Sequence, residues 1–255
     1  RGLGDVYKRQ MSYLIEGYLR SVVSSMIGAR LAEQTREADC PFLQGSAGIG
    51  SYLISGTKDA FSISGVAKPG KVKEAYAAFL REAKRVRDFG FTATEYARAK
   101  ENFMSGMETM YENRNKMKNE QFTTQYVDHF TDNEPIPSLE DEYKIYQMVV
   151  PNLPVEIINN SMKNLISETD TNFVSMVLMK EAEGVSYPTE QELAAIVKQV
   201  RSEKLEAYVD NVKQEPLMAS APKAGSIKKV VENKVLGFKK LTLSNGAKVI
   251  LKKTD

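Results

Sequence analysis

Residues able to bind a metal or attack a carbonyl are few in this 255-residue chain: one histidine, His129, and one cysteine, Cys40. A zinc site draws three or four protein ligands from His, Cys, Asp and Glu. His129 stands in Tyr126-Val127-Asp128-His129-Phe130, beside aromatic residues near a predicted helix end, where a structural role accounts for it. Cys40 lies between Asp39 and Pro41. No neighbouring His or Lys favours its thiolate and Asp39 opposes it, so an idle thiol is expected. A Ser–His–Asp arrangement would have to use His129, and no G-x-S-x-G elbow is present to carry the serine. No G-x-x-x-x-G-K-[ST] phosphate loop occurs either. The short glycine pattern Ser46-Ala47-Gly48-Ile49-Gly50 falls inside a predicted strand. The residues alone define an α+β domain without a catalytic constellation.

The totals narrow the classes further. Hydrophobic residues make up 42% and charged residues 27%, enough to bury a sizeable core. The 35 basic and 33 acidic residues nearly cancel to a net +2, which argues against a nucleic-acid partner. The basic pairs Lys228-Lys229 and Lys239-Lys240 are scattered and suit a solvated stretch. One cysteine excludes an internal disulfide. No apolar run reaches the roughly 18 residues of a membrane-spanning helix, and no signal peptide is evident. Residues 1–10 (RGLGDVYKRQ) lack helical or strand periodicity and read as a non-native leader before Met11.

Local patterns lay out the elements. Tyr13 to Thr35 repeats apolar residues every three or four positions, which predicts a helix with a broad core face. Gly45–Gly56 and Ala60–Ala67 predict a β-hairpin turning at Thr57-Lys58-Asp59. Its many glycines weaken packing but admit a second backbone closely, which suits strand addition. Val72 to Phe89 returns to helical period and stops at Gly90. Thr92 and Glu95 form a capping box before a long helix to about Tyr126. Further helices are expected from Ser138 to Val149, from Pro154 to Leu165, and from Pro188-Thr189 to about Tyr208. Asn172 to Lys180 (NFVSMVLMK), apolar on both faces, predicts a buried central strand. Residues 210–238 read as a linker. Lys240 to Lys253 places Asn245-Gly246 between alternating apolar residues, a strong hairpin signal.

Three segments, in order, resemble the pitrilysin/insulinase family of zinc metallopeptidases. Met26 to Ala47 (MIGARLAEQTREADCPFLQGSA) is similar to the helix-to-strand passage of the second domain, through Arg30-Leu31, Glu33 and Arg36-Glu37. Phe89 to Lys100 (FGFTATEYARAK) resembles the family's G-hydrophobic-T-x-x-E-hydrophobic-x-x-A-K turn and helix. Leu241 to Val249 (LTLSNGAKV) resembles the L-x-N-G-x-x-V hairpin that opens each half.

The resemblance implies an antiparallel sheet flanked by long helices. It implies a zinc held by an inverted H-x-x-E-H helix and a distant Glu on another domain, with the motif Glu as base. That motif is absent here, so the chain is expected to be inactive alone and to bind no zinc. Residues 11–209 would then be a non-catalytic domain lacking its amino-terminal strands. Residues 210–238 would join two halves, and 239–255 would begin the next domain. Expected partners are the catalytic domain, the second half and a peptide substrate, with no nucleic acid and no membrane span. Leu43, Gly45, Ala47 and Ile49 would lie on or beside a strand that binds substrate by strand addition. Arg36 would reach a substrate carbonyl, or else form a surface ion pair. Copies that complete the zinc site resemble an Arg followed seven positions later by Tyr. Here that position is Leu43, which supplies no hydroxyl. The alternative reading is a non-catalytic homologue that binds peptides or assists assembly, and family analogy suggests a periplasmic or secreted location.

Overall fold

A computed structural model describes residues 11–53, 55, 58–180, 183–212, 218 and 220–254. The expected leader, 1–10, lies outside them, as do Thr57 of the hairpin turn and several linker residues. The chain divides into two compact units between Asn211 and Val212.

The first unit is built on helix α1 (Met11–Gln34), which lies against strand β1 (Phe42–Ser51). β1 pairs antiparallel with β2 (Asp59–Ala67). Helices α2 (Val72–Phe89) and α3 (Ala93–Glu112) follow, then α4 (Asn119–Asp132), α5 (Leu139–Val149), α6 (Val155–Leu165) and α7 (Glu190–Ser202). The fold is α+β, as expected. The α1 stripe Tyr18, Val22, Val23, Met26, Ile27 and Leu31 is buried and forms the spine of the core. Phe103 stands edge-on to Tyr18 at 4.9 Å and to Tyr146 at 5.0 Å. The Tyr18 hydroxyl donates to that of Tyr96 at 2.9 Å, and Tyr96 donates to the Leu153 carbonyl at 3.0 Å. Both buried phenols are thereby satisfied.

Short-range chemistry sets the helix ends. Thr92 accepts from the Glu95 N–H at 3.2 Å while Glu95 accepts from the Thr92 N–H at 2.9 Å. Thr189 and Glu192 repeat this box at α7, and Ser138 accepts from the Asp141 N–H at 3.1 Å. Gly90 closes α2 at φ 70°, with its N–H donating to Val86 at 2.8 Å. Only glycine fits: a Cβ there would lie 2.4 Å from Asn159 Cγ. The Asn159 amide uses that space to accept from Phe91 N–H at 2.8 Å and donate to Phe91 O at 3.2 Å.

Four expectations need correction. The helix from Glu95 to Tyr126 is two helices. Asn113 ends α3, donating from Nδ2 to Thr109 O at 2.8 Å; Arg114–Lys116 make a 3-10 turn, and Met117 is extended. Gln121 then accepts from the Lys118 N–H at 3.2 Å and α4 starts. Asn113 and Asn115 are weak helix formers whose side chains compete for backbone partners. Second, the helix expected to reach Tyr208 ends at Ser202, and residues 203–210 continue as a strap without helix or strand.

Third, Asn172 to Lys180 is not a buried central strand. Residues 173–180 form no helix or strand, and among the described residues they join no ladder. Phe173 and Val177 are half-buried, while Val174, Met176 and Leu178 are 59%, 63% and 92% exposed. The pattern encodes a strand, but a strand is buried only when neighbours supply hydrogen bonds on its edges. Such a proline-free segment, uncharged from Phe173 to Met179, is adhesive. Leu178→Lys is expected to reduce self-association in sedimentation at tens of micromolar protein; unchanged sedimentation would show that this edge is not sticky.

Fourth, the stretch read as linker contains strand β3 (Ile227–Asn233). In the second unit β3 pairs with β4 (Phe238–Leu243), which pairs with β5 (Lys248–Lys252), all antiparallel. Lysines between Ile227 and Val230 mask the alternation in the sequence. The Asn245-Gly246 turn is present: Gly246 takes φ 86°, and Asn245 Oδ1 accepts from the Ala247 N–H at 3.0 Å.

Candidate functional site

β1 carries most of the residues the resemblance points to. Phe42 is buried against Phe79 with ring centroids 4.8 Å apart. The register shifts between Phe42 and Gln44, so Leu43 sits at an irregularity, 58% exposed. Gly45, Ala47 and Ile49 occupy the opposite, helix-facing side. Ala47 and Ile49 pack on the core, and a Cβ on Gly45 would lie 2.9 Å from Phe79 and 3.0 Å from Leu31. Gly65, paired with Gly45, is tighter still, at 2.2 Å from the Phe79 ring and 2.4 Å from Gln44 O. The two glycines therefore admit an aromatic ring from α2. Among the described residues β1 pairs on one edge only, so its other edge presents unpaired backbone groups. An added peptide would meet backbone there, with Leu43 as the exposed apolar side chain. Arg36 lies exposed in the turn after α1, its backbone N–H donating to Glu33 O at 3.0 Å. Among the described residues no ion pair engages the Arg36 guanidinium, whereas that of Arg20 on α1 pairs with Glu16 at 3.9 Å and with Asp59.

The other residues singled out for chemistry are placed apart. His129 is exposed on α4, and its Nδ1 donates to the Glu134 carbonyl at 2.6 Å. Cys40 is buried, with Sγ 3.4 Å from Phe42 O. No group of three His, Cys, Asp or Glu among the described residues could hold a metal ion. The zinc implied by the resemblance has no fitting donor set there. A cleft of about 620 Å³ lies between α3 and residues 151–156. Its lysine, Lys100, is spent on the Pro151 and Leu153 carbonyls at 3.4 and 3.3 Å and on the Tyr96 ring.

The strongest electrostatic feature is one that sequence reasoning missed. Arg30, 2% exposed, donates from Nε and Nη2 to the two Glu95 oxygens at 2.6 and 2.8 Å, from Nη1 to Glu82 at 3.2 Å, and from Nη2 to Gly90 O at 3.0 Å. This fork joins α1, α2 and α3, with the Phe91 and Tyr208 rings near the guanidinium at 5.1 and 4.3 Å. The strap is charged too. A hydrogen bond from Arg81 holds the Glu203 carboxyl below the usual range. Burial alone would raise Asp210, but hydrogen bonds from Arg98 and Thr94 and the charges of Arg98 and Arg30 outweigh it and lower it.

An open strand edge thus lies beside a helix that carries Arg30 and Glu33 near its end and Arg36 in the turn beyond. Residues 11–103 match the family model of the peptidase M16 inactive domain, and the family resemblance read from the sequence is thereby shown. A relative from Arabidopsis thaliana, "Zinc protease PQQL-like", is 26% identical over 176 residues, covering 67% of this chain and 18% of its own length. The periplasmic protease PqqL from Escherichia coli aligns over 96% of this chain and 27% of that one, at a TM-score of 0.64 and 19% identity. A structure of the first half of PqqL aligns over 79% of this chain and 42% of its own, at a TM-score of 0.62 and 17% identity. At these identities the solved structures speak to the fold. The chain spans less than half the length of each. Among the described residues no helix is long and apolar enough to cross a membrane.

Proposed function

We propose that this chain is a non-catalytic part of a zinc metalloendopeptidase, shaping a chamber in which peptides are cleaved by a zinc site carried on another domain. Residues 11–209 act as the second domain of the first half, the stretch from 210 to 226 connects the halves, and the sheet that starts at β3 opens the next domain. The catalytic domain and the second half are its partners, and the periplasm is its compartment. The observation that carries this reading is the open edge of β1 inside the segment that matches the M16 inactive domain. That edge takes the substrate as an added strand beside Leu43, Gly45, Ala47 and Ile49, with Arg36 at its entrance.

Because Gly45, Ala47 and Ile49 face the helices, recognition runs through the backbone. A fluorescent peptide is therefore expected to bind the purified chain with little change when its sequence is scrambled. It is expected to lose at least about tenfold in affinity when alternate amides are N-methylated, since main-chain hydrogen bonds provide the affinity in strand addition. The same sample should take up no stoichiometric zinc and cleave nothing. Equal binding of the N-methylated peptide would remove the strand-addition role, and zinc-dependent cleavage by this chain would overturn the whole reading. If peptide binds but a zinc-bearing partner half never restores cleavage, the binding or assembly subunit is the better description.

A further inference from the structure

The strap 203–210 is held almost wholly by charge. Glu203 receives a two-pronged pair from Arg81 at 2.6 and 2.8 Å. Lys84 donates to the Arg201 carbonyl at 2.8 Å and also to that of Glu203, and Arg85 donates to the Glu206 carbonyl at 3.2 Å. The Tyr208 ring lies over Arg30, and its hydroxyl donates to Glu33 at 2.6 Å. Asp210, 6% exposed in its side chain, receives Arg98 at 2.8 and 3.2 Å and the Thr94 hydroxyl. Apolar anchoring is slight: Val209 is 69% exposed and Leu205 only half-buried.

Along the strap these contacts fall on α2, then α1, then α3, and their centre is the buried guanidinium of Arg30. Tyr208 can cover Arg30 only while the flanking carboxylates Glu203 and Asp210 keep the strap in place. The contacts are therefore coupled along the segment. Ionic contacts that are partly exposed weaken as salt shortens the screening length, from about 8 Å near physiological strength to about 3 Å at 1 M. Apolar packing, which forms the core of this unit, does not weaken in that way.

We propose that residues 203–210 form a charge-held latch that docks and releases as a single unit and so sets the free length of chain leading to the residues after Asn211. Release frees eight residues, up to roughly 27 Å of extended backbone. This inference does not depend on the peptidase reading.

Endoproteinase Lys-C cleavage after Lys204, which is exposed on the strap, tests it in the full chain, with the cut bond identified by mass spectrometry. A docked strap resists the protease, so cleavage reports the population of the released state. The rate is expected to rise with sodium chloride. It is also expected to rise about tenfold or more in Arg98→Ala, the change expected for losing a charge-assisted pair. Arg98 touches Asp210, six residues from the cut, so only a strap that releases as a unit transmits that change. Asp210→Asn, which keeps the shape, should act likewise. Arg114→Ala, which breaks the pair with Glu140 outside the strap, should leave the rate alone. Urea unfolding of each variant separates release from global unfolding. Cleavage after Lys204 that ignores both substitutions and salt would overturn the latch, as would cleavage that tracks global stability in every variant.

Discussion

Arg30→Met is expected to lower the unfolding free energy by about 3–5 kcal/mol, read from the urea transition, because it leaves buried carboxylates without their cation. Arg30, Glu82 and Glu95 are 2%, 1% and 5% exposed. Glu82 would keep Arg85 as a partner, whereas among the described residues Glu95 would keep only the Thr92 N–H. Glu95 should therefore account for most of the loss. The double variant Arg30→Met, Glu95→Gln should then be less unstable than the sum of its parts, by at least about 1 kcal/mol of coupling. A loss under about 1 kcal/mol in the single variant would mean that water reaches the node and solvates the carboxylates.

The second large effect is expected at Gly65→Ala. A methyl there would lie 2.2 Å from Phe79 Cζ and 2.4 Å from Gln44 O, a ring and a backbone atom that are both held in place. Overpacking of this kind costs about 1–3 kcal/mol, and the backbone contact puts this site at the upper end. Gly45→Ala meets only the edge of Phe79 and the end of Leu31, at 2.9 and 3.0 Å, so its cost should be smaller. Combining Gly65→Ala with Phe79→Leu should restore part of the loss, because one of the two obstacles is then reduced. Thermal unfolding of the three variants checks the order; equal losses at Gly45 and Gly65 would exclude the slot as the reason.

Much of the helical layout was legible because its determinants are local. Thr92 and Glu95, Thr189 and Glu192, Ser138 and Gly90 act within one turn of the chain, so spacing alone reveals them. The strap and the Arg30 node were not legible. Arg30 meets Glu82 and Glu95 across 52 and 65 residues, and nothing in the order of the chain joins them. Residues 173–180 fail for the converse reason: the run of apolar residues is real, but burial of a strand is a property of its neighbours. At the candidate site, the glycines of β1 and β2 read as room for another backbone. The structure gives that room at Gly45 and Gly65 to Phe79, a residue that helical periodicity assigns only to a core face.

That ring also answers a question raised by the composition of the hairpin. Strands made of Gly, Ser and Ala hold their alignment poorly, because small side chains look alike after a slip. Here Gly45 stands opposite Gly65, and Phe79 fits only where both lack a Cβ. Sliding β2 by two residues would bring Ile63 or Ala67 beneath the ring and shut the notch. Phe79 thus works as a gauge pin that accepts one alignment of two otherwise interchangeable strands. It thereby fixes which backbone groups of β1 are turned outward.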